Sequence, residues 1–171
     1  RVYQIPEGSR TGKGRSIRNL VQMDQEDRVK AVLAVKRHDF ENGEFLDKHY
    51  VLMATREGQV KKTPLRDFSR PLVTGIIAIS IIDGDELLEA ALTDGERYVL
   101  LASSGGRAIQ FHESDVRPMG RNTQGVRGMS LYDGEQVVGM VVPHNGGGNI
   151  LTISANGYGK QTPRDEYPIQ G

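Results

Sequence analysis

The chain has 171 residues, 37% of them hydrophobic and 26% charged, which is too apolar for wholesale disorder, and no apolar run approaches the ~18 residues that span a bilayer. Cysteine is absent, which excludes disulfides, thiolate metal ligands and cysteine nucleophiles together. The 22 basic and 22 acidic residues cancel, so the chain taken whole predicts no polyanion partner; the charge distribution along it says otherwise.

Glycine is abundant, tryptophan is missing and no long helical periodicity runs through the sequence. Short β-branched runs punctuated by Gly, Asp-Gly and Pro predict an all-β protein. No charged-then-apolar signal segment stands at the start, and the absence of cysteine suits a reducing cytoplasm. The chain opens on Arg1-Val2-Tyr3 without a Met, so it is expected to be a piece of something longer.

In chain order, residues 1–6 have the pattern of a strand, and a loose glycine-led copy of a later segment follows at 14–20. Residues 50–55 and 59–63 are predicted strands around Gly58, whose positive φ would make a tight hairpin turn. Residues 75–82 and 87–92 flank Asp83-Gly84-Asp85 and predict a second hairpin. The first hairpin pattern returns around Gly106 and Gly157, at spacings of 48 and 51 residues. The segment 75–87 aligns without a gap to 125–137, and 1–6 lines up with 59–64. Units of this length with four strands each are the signature of propeller blades. About three blades fit, with half-blades at both ends, in one partial domain spanning 1–171.

The Asp-Gly pairs read as plain turns, because calcium needs six to eight oxygens from a longer loop. The run Asn145-Gly146-Gly147-Gly148-Asn149 could cradle a phosphate, but without a strand–helix context it reads better as an interstrand loop. His38, His49, His112 and His144 have no metal-ligand spacing and do not recur in phase, and there is no Gly-x-Ser-x-Gly elbow. No catalytic residue, metal site or cofactor site is therefore assigned.

Charge follows the repeat. The stretches 1–18, 56–73, 105–128 and 157–171, which run from each turn glycine to the next glycine anchor, hold 16 basic and 7 acidic residues; the remainder holds 6 and 15. The same phase on each blade would make a basic stripe of Arg10, Lys13, Arg15, Arg18, Lys61, Lys62, Arg66, Arg70, Arg107, Arg117, Arg121, Arg127, Lys160 and Arg164. Spaced cations suit a phosphate backbone, and with few aromatics to stack single-stranded bases the expected ligand is double-stranded DNA, held with little sequence specificity. The competing reading is a set of solvated strand edges that discourage aggregation.

Specific strings then point to a family. Arg-Val-Tyr-Gln-Ile-Pro-Glu, Gly12-Lys13-Gly14-Arg15, Val60-Lys61-Lys62-Thr63, Met119-Gly120-Arg121-Asn122-Thr123-Gln124-Gly125-Val126-Arg127-Gly128 and Asn156-Gly157-Tyr158-Gly159-Lys160 resemble the C-terminal domain of the DNA gyrase A subunit. The resemblance covers nearly the whole chain. It implies a β-pinwheel, a propeller-like ring of six four-stranded blades whose outer rim wraps DNA in support of ATP-dependent negative supercoiling. It implies as partners DNA, the N-terminal part of the gyrase A subunit and the gyrase B subunit, in the bacterial cytoplasm at the nucleoid. ATP and Mg2+ would belong to other domains or subunits, so the domain itself would be non-catalytic. The family's Gln-Arg-Arg-Gly-Gly-Lys-Gly box is not in the chain; Ser9-Arg10-Thr11-Gly12-Lys13-Gly14 is an echo of it at a related loop. The later blades and acidic tail are also missing. The alternatives are the corresponding domain of topoisomerase IV, which shares the repeat, and a protein-interaction propeller, which the scarcity of aromatics disfavours.

Overall fold

Residues 50–55 read Tyr-Val-Leu-Met-Ala-Thr, with no polar alternation, because the strand they form is covered on both faces. The computed structural model describes every residue except Gln4, Pro6, Glu7, Gln22, Val73, 144–147 and Gly171. Strand β1 (Tyr50–Thr55) sends Leu52 and Ala54 into one core, with Val60, Val99, Leu101, Phe111 and Val137. Its other face sends Val51 and Met53 into a second core, with Leu46, Leu65, Phe68, Ile76 and Ala78. A fully buried side chain such as Leu52 contributes on the order of 1.5–3 kcal/mol.

Strand β2 (Gln59–Pro64) pairs antiparallel with β1, placing Met53 opposite Lys61 and Leu52 opposite Lys62. Gly58 makes the turn at φ 80°, and a Cβ there would lie 2.9 Å from the Met129 carbonyl oxygen. Glycine is thus required for conformation and for close approach alike. Strand β3 (Leu87–Thr93) lies on the other side of β1, with a register shift between Ala54 and Thr55. Strands β4 (Tyr98–Ser103) and β5 (Ala108–His112) form the next hairpin. The two-residue strand β6 (Val126–Arg127) joins the free edge of β2 and completes a four-stranded sheet in the order β3-β1-β2-β6. Strand β7 (Val137–Val141) pairs with β4 and gives a three-stranded sheet, β5-β4-β7. The last hairpin, β8 (Asn149–Ile153) and β9 (Gly159–Pro163), stands as a two-stranded sheet.

The all-β repeat holds, with three hairpins in phase, but the expected second hairpin at 75–92 does not form. Residues 75–82 do not pair with β3. Ile76 instead bridges Val2 of the preceding unit, with Val2 N donating to Ile76 O at 2.8 Å and Ile76 N to Val2 O at 3.0 Å. In the next unit β6 does the same to β2. Each of these units therefore pairs backward onto the unit before it, by an isolated bridge at Ile76 and by a two-residue strand at β6. The Asp-Gly segments do turn, but they dock on the hairpin turns: Arg56 N donates to Glu86 O at 3.0 Å, Glu57 N to an Asp85 carboxylate oxygen at 3.0 Å, and Ser104 N to Gln136 O at 2.8 Å. Donors at a turn that would otherwise lack partners are satisfied this way.

Two short helices, α1 (Arg37–Glu41) and α2 (Gly43–Lys48), interrupt the repeat. Asn42 caps α2, its side-chain oxygen accepting from Glu44 N at 3.0 Å and Phe45 N at 3.2 Å, and Leu46 is buried. Most of the glycine run near the C-terminus, residues 145–147, lies outside the described residues.

Candidate nucleic-acid interface

The two lysines of β2 are the first test of the expected stripe. Side chains alternate along the strand, so Lys62 shares the face of Val60, toward the second sheet, while Lys61 shares the face of Thr63. Both lysines are interior. Lys61 is 0% exposed and Lys62 4%. Lys61 Nζ donates to Ala78 O at 2.7 Å and also to the carbonyl oxygen of Arg121. Burial pulls its pKa down from 10.5 to about 8, with Asp67 opposing that shift and Arg121 adding to it. Lys62 Nζ donates to Glu113 O at 2.5 Å and sits over the Tyr50 ring, 5.1 Å from its centre. Burial lowers its pKa too, against the pull of Glu113, Asp115 and Glu96. The expectation that these lysines belong to an outer basic stripe is therefore corrected: the 113–121 segment and β6 cover β2, and the ammonium groups bind main-chain carbonyls.

What the lysines hold is an arginine-bearing loop. From the 3-10 turn at Glu113–Asp115 the chain passes Pro118, which bridges Lys62 in parallel, with Met119 N donating to Lys62 O at 2.8 Å. It then reaches Arg121 and closes through Gly125, whose φ of 109° leaves no room for a Cβ, which would lie 2.6 Å from the Val60 carbonyl oxygen. Arg121 projects beside two arginines of the preceding unit. Arg66, Arg70 and Arg121 line one open groove of about 550 Å³, together with Asp67, Ser69 and Leu72. Arg117 lines an adjoining depression with Gly120, Asn122 and Gln124. Arg70, Arg117 and Arg121 have no hydrogen-bond or ion-pair partner for their side chains among the described residues. Arg66 is engaged: it donates to Asp47 at 2.5 Å and to Gly43 O at 3.1 Å, and holds the Asp47 carboxyl below its ordinary pKa.

The remaining candidates divide. Arg10, Lys13, Arg15, Arg18, Arg127 and Lys160 are exposed, and of these only Arg18 makes a side-chain hydrogen bond among the described residues, to Gln25 O at 3.2 Å. Arg107 is committed locally: it pairs with Glu135, donates to Ser130 O at 2.9 Å and lies 4.1 Å from the centre of the Tyr132 ring. Arg164 is half-buried over the Tyr98 ring. The continuous stripe thus becomes a groove, an adjoining arginine and scattered exposed cations.

Glu113 escaped the sequence reading. It counted as one acid within a basic stretch, yet it is 0% exposed. Its carboxylate accepts from Thr93 Oγ1 at 2.7 Å and from Arg97 N at 2.8 Å. A signal existed: in the repeat register Glu113 falls where the preceding unit has Leu65, which is 1% exposed. A charge at an apolar phase marks a buried polar node. Among the described histidines, His49 stacks on Phe45 at 3.7 Å and His112 hydrogen-bonds Ser114 Oγ at 2.7 Å; His144 lies outside the described residues. No group of three or more potential metal ligands occurs among the described residues, and no described helix is long and apolar enough to cross a membrane.

The fold and these residues have known relatives. The model of the DNA gyrase C-terminal domain, beta-propeller family matches residues 1–36, 49–94, 97–144 and 148–171, and the interval 37–48 that it skips holds α1 and α2. The DNA gyrase A subunit of Escherichia coli (strain K12) is 48% identical over 170 residues, covering 99% of this chain and 18% of that protein. Its counterpart from Salmonella typhimurium is 46% identical over the same length and coverage. The chain thus spans about a fifth of the length of these relatives. Among solved structures, the C-terminal domain of DNA topoisomerase IV superposes with a TM-score of 0.81 at 27% identity, over 92% of this chain and 47% of that one. A DNA gyrase A C-terminal domain gives 0.77 at 27% identity, over 93% and 50%. With four matched segments that together take in most of its length, the chain belongs to the family of DNA gyrase C-terminal domains.

Proposed function

We propose that the chain binds double-stranded DNA through its phosphate backbone, with Arg70, Arg121 and Arg117 as the central contacts. Arg66 borders the same groove, and Arg10, Lys13, Arg15, Arg18, Arg127 and Lys160 extend the reach of the surface. The observation that carries the proposal is the convergence of arginines from two successive units on one groove, in a chain of the gyrase C-terminal family. A guanidinium that no protein group engages is free to take a phosphate oxygen bidentately. The described α-helices span five and six residues, too short to read a major groove, so contacts are expected to position the duplex rather than to read its sequence. Within a full gyrase the bound segment would be wrapped and presented for strand passage, in a complex with the rest of the gyrase A subunit and with the gyrase B subunit, where ATP and Mg2+ act. Lys61, Lys62, Arg107 and Arg164 have no direct phosphate role in this reading.

The test is the affinity of the chain for several unrelated duplexes between about 50 and 200 mM salt. Four or so phosphate contacts predict a log–log slope of about −3.6, which is roughly two orders of magnitude across that range. Arg70→Ala and Arg121→Ala should each reduce the slope by about one, equally for every duplex. A flat slope, no binding at low salt, or a loss confined to one sequence would overturn the proposal.

A further inference from the structure

We infer that Lys61 is a positioning residue for DNA binding, its buried ammonium fixing the arginine-bearing loop of the next unit in place of touching a phosphate. The inference rests on the proposed DNA-binding role. Lys61 leaves β2 at a point where the facing surface belongs to two other segments. Its Nζ ties Ala78 of its own unit to the main chain of Arg121. Lys62, on the opposite face of β2, holds Glu113 O, eight residues earlier on the same segment. The two adjacent lysines thus grip the 113–121 segment at its two ends, and Arg117 and Arg121 ride on it. A carbonyl that accepts from an ammonium is held more firmly than one that accepts from a neutral donor. The next interface in the chain has no such grip: Ile109 and Gln110 stand in phase with Lys61 and Lys62, and Gln110 Nε2 reaches only Tyr167 O, at 3.4 Å, among the described residues. An interaction of this kind in the interior is not screened by salt as surface charges are. Lys61 can therefore hold the loop under the conditions in which phosphate contacts at the rim are weakening.

A double-mutant cycle on duplex affinity separates positioning from direct contact. Arg121→Ala is expected to weaken binding roughly tenfold and to reduce the salt slope by about one. If Lys61 acts by placing Arg121, Lys61→Met has a similar effect alone, and Arg121→Ala then adds less than about twofold in the Lys61→Met background. Lys61→Met and Arg10→Ala, whose residues share no hydrogen-bond or ion-pair partner among the described residues, should multiply; this control excludes a general loss of fold. Multiplicative losses for Lys61 and Arg121 would overturn the inference. A labelling experiment on the unsubstituted chain covers the case in which Lys61→Met does not fold. With an amine-reactive acetylating reagent, Lys61 should stay slow with or without DNA, while Lys160 reacts fast and is protected by DNA. Fast labelling of Lys61 that DNA suppresses would make it a contact and overturn the inference. Failure of the unsubstituted chain to bind any duplex would defeat the DNA-binding reading instead, and is seen separately.

Discussion

Two hairpins of this chain occupy the same phase of the repeat and end in the same Lys-x-Thr-Pro, yet they live in opposite environments. In the β1–β2 hairpin, Leu52 and Lys61 are both 0% exposed. In the β8–β9 hairpin, Leu151 is 63% exposed and Lys160 is at the surface. The backbone is alike, antiparallel and turned at a positive-φ glycine in each. The difference lies in what covers it. β3 flanks β1, and β6 with the 117–121 loop lies over β2; among the described residues β8 and β9 pair only with each other. The repeat thus fixes where a side chain sits on its strand, and the neighbouring unit decides whether that position is core or surface. A lysine in the same register clamps a loop in one hairpin and, among the described residues, stands exposed in the other.

The comparison makes graded predictions. The largest effect is in the apolar layer: Leu52→Ala should cost about 3–5 kcal/mol in denaturant unfolding, while Leu151→Ala stays within about 0.5 kcal/mol. Equal costs would mean that the two hairpins are buried alike. Next comes Glu113. Glu113→Ala strands the Thr93 hydroxyl and the Arg97 N–H and removes the carboxylate charge that opposes the burial of Lys62, whose bond to the residue-113 carbonyl stays, and should cost about 2–4 kcal/mol. Lys62→Met with Glu113→Leu, which restores the leucine of the preceding unit, should recover only the part of that loss that comes from the Lys62 charge, since the Thr93 hydroxyl and the Arg97 N–H stay without their acceptor.

A smaller effect depends on pH. The folded-state pKa of Lys61 lies near 8 and its ordinary value at 10.5. Between these values the unfolded chain holds more protons, so this lysine's contribution to stability rises with pH across the window. Unfolding titrations near the two ends of that window, at about pH 7 and about pH 10, should show the stability of the natural chain gaining on that of Lys61→Met. A difference that stays flat, or shrinks in the other direction, would contradict the buried placement. The smallest effect belongs to Lys160→Ala, which should leave stability within about 0.5 kcal/mol, since its side chain is exposed.

Much of the fold was legible because its signals are local. Turn glycines such as Gly58 and Gly157 and the recurring anchor at Gly125 identify the hairpins and their phase. The destination of the 75–82 segment was not legible, because a β pattern records which residues face a core and not which strand supplies the partner. Ile76 looks equally suited to pair with β3 or with Val2; the second wins, as an isolated bridge to the neighbouring unit. The helices at 37–48 were missed because each spans under two turns, too short to show a period. The site was half legible for the same reason. The charge count found the basic phase, but Lys61, Lys62 and Arg107 needed three-dimensional neighbours before they could be told apart from Arg70, Arg117 and Arg121.

The most direct test of surroundings against repeat phase is the salt dependence of duplex binding for two single variants, Lys160→Ala and Arg107→Gln, the second introducing the residue found in phase at Gln59. If the groups around a cation rather than its repeat phase decide whether it meets phosphate, Lys160→Ala reduces the log–log slope by about one at unchanged stability, and Arg107→Gln leaves the slope of the folded protein as it was. An unchanged slope for Lys160→Ala together with a reduced slope for Arg107→Gln would contradict it.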